Sequence, residues 1–367
     1  MSLIFKHQNI AFSLSVSAIE NNGLQKKIKL ALHDVFKGFI TGDPECIALE
    51  FIFTDNINSF VVDKQFVRVK EVKVGKFQTH FKDGELDFLI NNSNKFKVYI
   101  NVSNNETFKS SLRIFNKAFK NNIELQITTF YYRIFLLFTQ IWNVENNCSY
   151  VHASAIEVNG ESILFTADSG VGKSSLLFKL SQDASFKFIA DDLTIISDQA
   201  ESYYQGRCLS VKPYHLNFYN FLSDKLSLLM SRIQQLQWQF LKDNRLSYRM
   251  SPNDLFTSVS EKAKIRSIIH LCNHDKDIFE IKNITNSELI NFTIPILTNE
   301  LFLANHKLNA LASLPFSPFQ SSAKIYMESE VVFKSAFSNV SLKLVFVPYM
   351  SNPNNLYDFL KDEGCLN

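Results

Sequence analysis

The sequence predicts an α/β protein: a β-rich N-terminal region followed by a domain in which a mixed sheet is flanked by helices. Three observations carry this. Residues 1 to about 120 read as short alternating or apolar runs separated by Asn, Asp and Gly clusters, including IAFSLSV, IALEFIF, SFVVDK, FVRVKEVKV, DFLINN and KFKVYINV. Two further runs, YVHASAIEV and ESILFT, are joined by Asn159-Gly160, a dipeptide suited to the positive φ of a tight hairpin turn. The second of these runs enters a glycine-containing loop and then an amphipathic segment, a switch from strand to helix period.

Taken in order, the first region also carries one expected helix near Leu24 to Phe36. Two more are expected at its end, from Phe108 to Phe119 and from Ile123 to Trp142. The last is the most apolar stretch of the chain. Glu124, Gln126, Arg133 and Gln140 interrupt it, and such residues are costly at a bilayer centre, so it is read as a buried helix rather than a membrane span. The polar stretch from Glu145 to Cys148 marks the expected boundary, giving a domain over 1–144 and a second over 145–367. A chain of 367 residues is long enough for both.

Composition narrows the function. With 38 basic and 36 acidic residues the formal net charge is +2, which offers no general attraction to nucleic acid or to an anionic membrane. A hydrophobic share of 46% against 20% charged residues fits a folded globular protein, and the 35 Phe are expected to fill its core. The five cysteines are scattered without a C-x-x-C pair, so neither a disulfide framework nor a zinc site is expected. A cytoplasmic location follows from that, and Lys6, His7 and Gln8 argue against a signal peptide.

The loop after ESILFT runs Ala167-Asp168-Ser169-Gly170-Val171-Gly172-Lys173-Ser174, followed by Ser175 and the helical LLFKLS. It matches G-x-x-x-x-G-K-[ST] with Ala in the first position. Small residues at this spacing let successive backbone N–H groups and a helix N-terminus converge on phosphate oxygens. Lys173 would then reach the β- and γ-phosphates of ATP, and Ser174 would offer its hydroxyl to Mg²⁺. Ala167 is compatible provided its φ stays negative. The competing reading is a chance match in a turn, which the coincidence with a strand-to-helix switch disfavours.

Downstream, FKFIA is a short apolar strand ending in Asp191-Asp192. Carboxylates at a strand end beside such a loop suit Mg²⁺ binding and proton acceptance from an attacking hydroxyl. An ordinary polar turn is the alternative.

The run from His152 through ADSGVGKSS to FIADD resembles the catalytic core of the HPr kinase/phosphorylase family, including its shorter relatives from peptide-tailoring gene clusters. The resemblance is specific over about 50 residues. It implies ATP and Mg²⁺ as cofactors, Lys173 as the phosphate-contacting lysine, Ser174 as a metal ligand and Asp191 as the base. Asp192 would support the metal or the base. His152 matches the family's histidine near the catalytic carboxylate; on residue type alone a strand histidine is more often structural. Serine, or threonine, of a peptide or small protein would be the acceptor, a ribosomal peptide precursor in the sharper version.

The match has departures. The nearest counterpart of the family's Glu-x-Arg-Gly segment, Tyr204 to Cys208, lacks the Glu, which puts phosphorolysis and the family's protein substrate in doubt. A cation for the transferring phosphate is sought among Lys212, Arg245, Arg249 and Arg266, with Arg249 preferred.

Leu222, Leu226, Leu229, Ile233, Leu236 and Phe240 recur in steps of three and four. The spacing predicts one amphipathic helix of about six turns, packed on its own domain or used for self-association or peptide gripping. Two other functions compete. A nucleotide-binding regulatory or scaffold protein would need no base, so the Asp pair weighs against it. A transport ATPase would need an L-S-G-G-Q-like signature, which the chain lacks.

Overall fold

The computed structural model describes residues 2–103, 121–241, 246–349 and 351–367. The expected helix at 108–119 and the candidate Arg245 lie outside the described residues. The chain is α/β and divides into two units, Met1–Glu145 with Thr298–Glu328, and Asn146–Leu297 with Ser329–Asn367. The second domain was expected to run unbroken to residue 367. Instead the chain passes into the first unit at Thr298 and returns at Ser329.

The first unit is built on an eight-stranded sheet of β1 (Ser2–His7), β2 (Ile10–Ala18), β3 (Ile47–Thr54), β4 (Val67–Val69), β5 (Val72–Val74), β6 (Gln78–Asp83), β7 (Leu86–Asn91) and β8 (Asn94–Asn101). Its order is β1-β2-β3-β8-β7-β6-β5-β4, with β2, β3 and β8 parallel and the remaining pairs antiparallel. Helix α1 (Asn22–Phe36) connects β2 to β3, and Asn21 caps it by accepting from Leu24 N at 3.0 Å. The SFVVDK run forms no strand: a short 3-10 turn over Ile57–Phe60 takes its start. FVRVKEVKV splits into β4 and β5, with Lys70 at φ 51° turning between them.

The apolar stretch 123–142 is helical but not uniform. Helix α2 (Asn122–Phe130) passes through a wide π turn at Tyr131–Phe135 into α3 (Leu136–Glu145). Its polar residues have partners within the unit: Glu124 closes a capping box with Asn121, Gln126 bonds both Ser103 N and O, and Arg133 meets Asp83 at 2.6 Å. Buried Phe12, Phe36, Phe51, Phe130 and Phe135 pack in mutual ring contact, which explains where much of the Phe content goes. Among the described residues, no helix is long and apolar enough to cross a membrane.

The second unit holds a nine-stranded mixed sheet. Its strands are β9 (Cys148–Val151), β10 (Ala153–Val158), β11 (Glu161–Thr166), β12 (Lys187–Ala190), β13 (Thr194–Ser197) and β14 (Glu201–Tyr203). A separate ribbon pairs β15 (Leu209–Val211) with β16 (Tyr248–Met250), and the main sheet is completed by β17 (Lys262–His274), β18 (Glu280–Asn283) and β19 (Ser341–Pro348). The turn between β10 and β11 has Asn159 at φ 54° and Gly160 at φ 86°, as the hairpin dipeptide requires.

Only His152 separates β9 from β10. The paired path β10-β11-β17-β14-β13-β9 therefore returns to its own start, and Thr194 Oγ1 donates to Ala153 O at 2.8 Å across the closure. Strands β11, β17 and β19 are parallel neighbours, so their C-terminal ends share one edge.

The expected six-turn helix is instead two, α5 (Asn220–Leu229) and α6 (Arg232–Leu241). Met230 is extended, with ψ 140°. Ser231 N donates to Gln234 Oε1 at 2.9 Å, while Gln234 N donates to Ser231 Oγ at 3.4 Å. This S-x-x-Q box starts a new helix and breaks the stripe. Leu222 and Leu226 are buried, whereas Leu229 and Leu236 are exposed.

Candidate active site

The phosphate-type loop connects β11 to helix α4 (Lys173–Leu180). Gly170 at φ 90° and Gly172 at φ 113° make the turn, and Ala167 is fully buried with no positive φ. No side chain caps α4, so its first amides and its dipole are available to an anion. A Cβ at Gly172 would meet nothing within 4 Å, so substitution there is opposed by backbone strain alone. Gly172→Ala is expected to cost about 1–2 kcal/mol of stability, read from the midpoint of urea unfolding.

Lys173 is buried, and its ammonium donates to Ala167 O at 2.8 Å, Asp168 O at 3.1 Å and His152 Nε2 at 2.9 Å. Asp168 also accepts from Ser169 N at 2.7 Å and is exposed, as are Ser169 and Gly170, while Val171 is half-buried. Ser174 Oγ donates at 3.1 Å to both oxygens of Asp191, and Ser154 Oγ donates to Oδ1 at 2.7 Å. Ser175 lies in the first turn, where its carbonyl accepts from Tyr219 Oη at 2.8 Å.

The two adjacent aspartates differ in setting. Asp191 is only 5% exposed and, among the described residues, forms no ion pair. Asp192 adopts φ 71°, in the left-handed region that Asp tolerates better than most residues. Its side chain is 28% exposed, ion-paired with Arg207, and lies 3.7 Å from His152 Nδ1.

Because Lys173 donates to Nε2, the proton of a neutral His152 sits on Nδ1, on the Asp192 side. Burial, then the charges of Lys173 and Arg207, push its pKa down to about 3. His152 is therefore a neutral spacer between ammonium and carboxylate, not a titrating acid.

These groups open on one cleft of about 650 Å³, lined by Ser169 to Ser175, both aspartates and His152, with Arg207 and Lys212 as cations beside Lys173. The preferred cation, Arg249, is not among the lining residues: it sits in β16 opposite Ser210. Arg266 is also elsewhere, at the start of β17. Of the expected metal pair, Ser174 bonds Asp191, and Asp192 is paired with Arg207.

A buried carboxylate with two hydroxyl donors and no cation fits a hard divalent ion, which prefers oxygen ligands. Ser174 and Asp191 would hold it. Ser154 was missed by sequence reasoning. Its signal was position, two residues beyond His152 along one strand run.

His270 is a further buried group, bonded through Nδ1 to Thr166 Oγ1 at 2.9 Å and stacked on Phe292. Burial, and then Lys173, lower its pKa to about 4; burial and then Lys212 do the same for His215, and burial does so for His7. All four of these histidines stay neutral in the fold while the unfolded chain protonates near pH 6.5. Below that pH the unfolded state binds more protons, so unfolding free energy is expected to fall as pH drops from 6.5 toward 4. Each histidine contributes a slope of about 1.4 kcal/mol per pH unit. Three lie in the second unit and one in the first, so this histidine contribution to unfolding free energy should fall about three times as steeply in the second, as read from urea unfolding at a series of pH values.

No family model and no curated protein matches the chain. Among solved structures, the Hpr(Ser) kinase/phosphatase from Coxiella burnetii is similar with a TM-score of 0.27 and 10% identity, over 59% of this chain and 97% of that chain. At that level the roles of the cleft residues rest on their own geometry.

Proposed function

We propose that the chain is a P-loop kinase. It binds ATP with Mg²⁺ at residues 167–175 and transfers the γ-phosphoryl group to a serine, or a threonine, of a peptide or small protein such as a ribosomal peptide precursor. The observation that carries this reading is the pairing of the Ser174 hydroxyl with the buried, uncompensated Asp191 in the same cleft as Lys173, Asp192 and Arg207. The acceptor class comes from the resemblance of the His152 to Asp192 segment.

A bound magnesium ion neutralises phosphate charge. The loop amides and Lys173 grip the β- and γ-phosphates and hold them for in-line attack. Asp192 is the more accessible carboxylate, so we assign it, not Asp191, to the acceptor hydroxyl. As the acceptor oxygen bonds phosphorus and the bridging oxygen leaves with the nucleoside diphosphate, Asp192 takes the hydroxyl proton. Arg207, tied to Asp192, supplies a second cation in the cleft beside Lys173.

The test is intact-mass analysis of serine-bearing peptides after incubation with ATP and Mg²⁺. The mass of one added phosphate on an acceptor, absent without the protein, supports the reading. Tight ATP binding with no transfer to any acceptor favours a regulatory nucleotide-binding protein instead.

A further inference from the structure

A second cavity of about 270 Å³ lies in the second unit where the paired stretch of β17 and β19 begins. It shares no lining residue with the cleft, which draws on the far ends of the same strands at Asn273 and Val347. Ser267 faces Ser341 across the parallel pair, and Lys343 lies two residues further along. Arg266 joins them from the preceding position of β17, and Cys365 from the C-terminal segment.

Three features point to an anion. Ser267 is only 7% exposed, yet its Oγ has no hydrogen-bond partner, and a buried hydroxyl left so is destabilising. The Lys343 ammonium has three protons to give, and its partner is the Cys365 sulfur at 3.3 Å, a weak acceptor. Arg266 gives one of its five N–H groups to the main-chain oxygen of Asn367, the last residue, whose carboxylate also lines the cavity; like Lys343, it pairs with no Asp or Glu side chain among the described residues. No acidic side chain lines the cavity.

We infer that this cavity is a binding site for a tetrahedral phosphate, free or as a phosphate monoester. A guanidinium, an ammonium and two hydroxyls provide more donors than the two oxygens of a carboxylate can use, and phosphate has the oxygens to accept them. The inference does not depend on the kinase reading.

The test uses Lys173→Ala protein, which lacks the main phosphate contact of the cleft, and follows its melting temperature against inorganic phosphate, glycerol phosphate and acetate. Phosphate is expected to raise the melting temperature in this background. Lys343→Met added to it should weaken phosphate affinity about tenfold or more. Ser267→Ala should weaken it too, without lowering the melting temperature in the absence of phosphate, because its hydroxyl bonds nothing there. A stronger response to glycerol phosphate than to inorganic phosphate marks the monoester as ligand; the reverse marks the free anion. Loss of the phosphate response through Lys173→Ala alone, indifference to Lys343→Met, acetate binding as tight as phosphate, or a lowered phosphate-free melting temperature in Ser267→Ala would each overturn the assignment.

Discussion

Lys173→Ala is expected to lower phosphoryl transfer about 10²–10³-fold, the effect of removing a preorganised charge from the developing transition state. Two consequences of the same substitution should be separable. The ammonium that would stabilise the transferring group is lost, which lowers the rate. The carbonyls of Ala167 and Asp168 also lose their donor, which loosens the loop and weakens nucleotide binding. Initial rates by intact mass and nucleotide titration by fluorescence measure the two effects. A rate within a few-fold of the unsubstituted protein would falsify the assignment of Lys173.

The second large effect divides the adjacent aspartates. Asp192→Asn is expected to cut transfer about 10²–10⁴-fold, the range for a removed general base, with the Mg²⁺ dependence unchanged. Asp191→Asn should instead raise the Mg²⁺ concentration needed for half-maximal rate by about tenfold or more, since it removes a charged ligand. Asn is the right replacement at 192 because it tolerates the left-handed backbone at φ 71°, so a loss of rate is not confounded with strain. If the two phenotypes are exchanged, so are the two roles.

The loop and the hairpin were legible because their residues do local work. Asn159-Gly160 and Gly170-x-Gly172 supply positive φ where the turn needs it, and Lys173 follows at fixed spacing. The Asp pair was legible as a pair, but not the different settings of its two members. Those depend on a backbone turn at Asp192 and on Arg207, which long-range folding brings to it. The place of Arg249 outside the cleft lining was hidden for the same reason: no local pattern states which strand ribbon carries a cation toward the cleft. The break after Leu229 was written in Ser231 and Gln234, but the three-and-four spacing of leucines continues through it and hides it. The return of Thr298–Glu328 to the first unit has no sequence signature, since contiguity in space rather than along the chain defines it.

The strand path that closes through His152 gives the site a specific kind of rigidity. Along this path β10, β11, β17, β14 and β13 each have a paired strand on both sides, while β9 pairs with β13 and continues covalently into β10, so fraying strand by strand is restricted to the ends. Amide protons of Ala155 and Ile195 should then exchange with deuterium only when the second unit opens as a whole, and at one common rate. The carboxylates and the loop would share a foundation that cannot loosen piecemeal, leaving local mobility to the segments that rim the cleft.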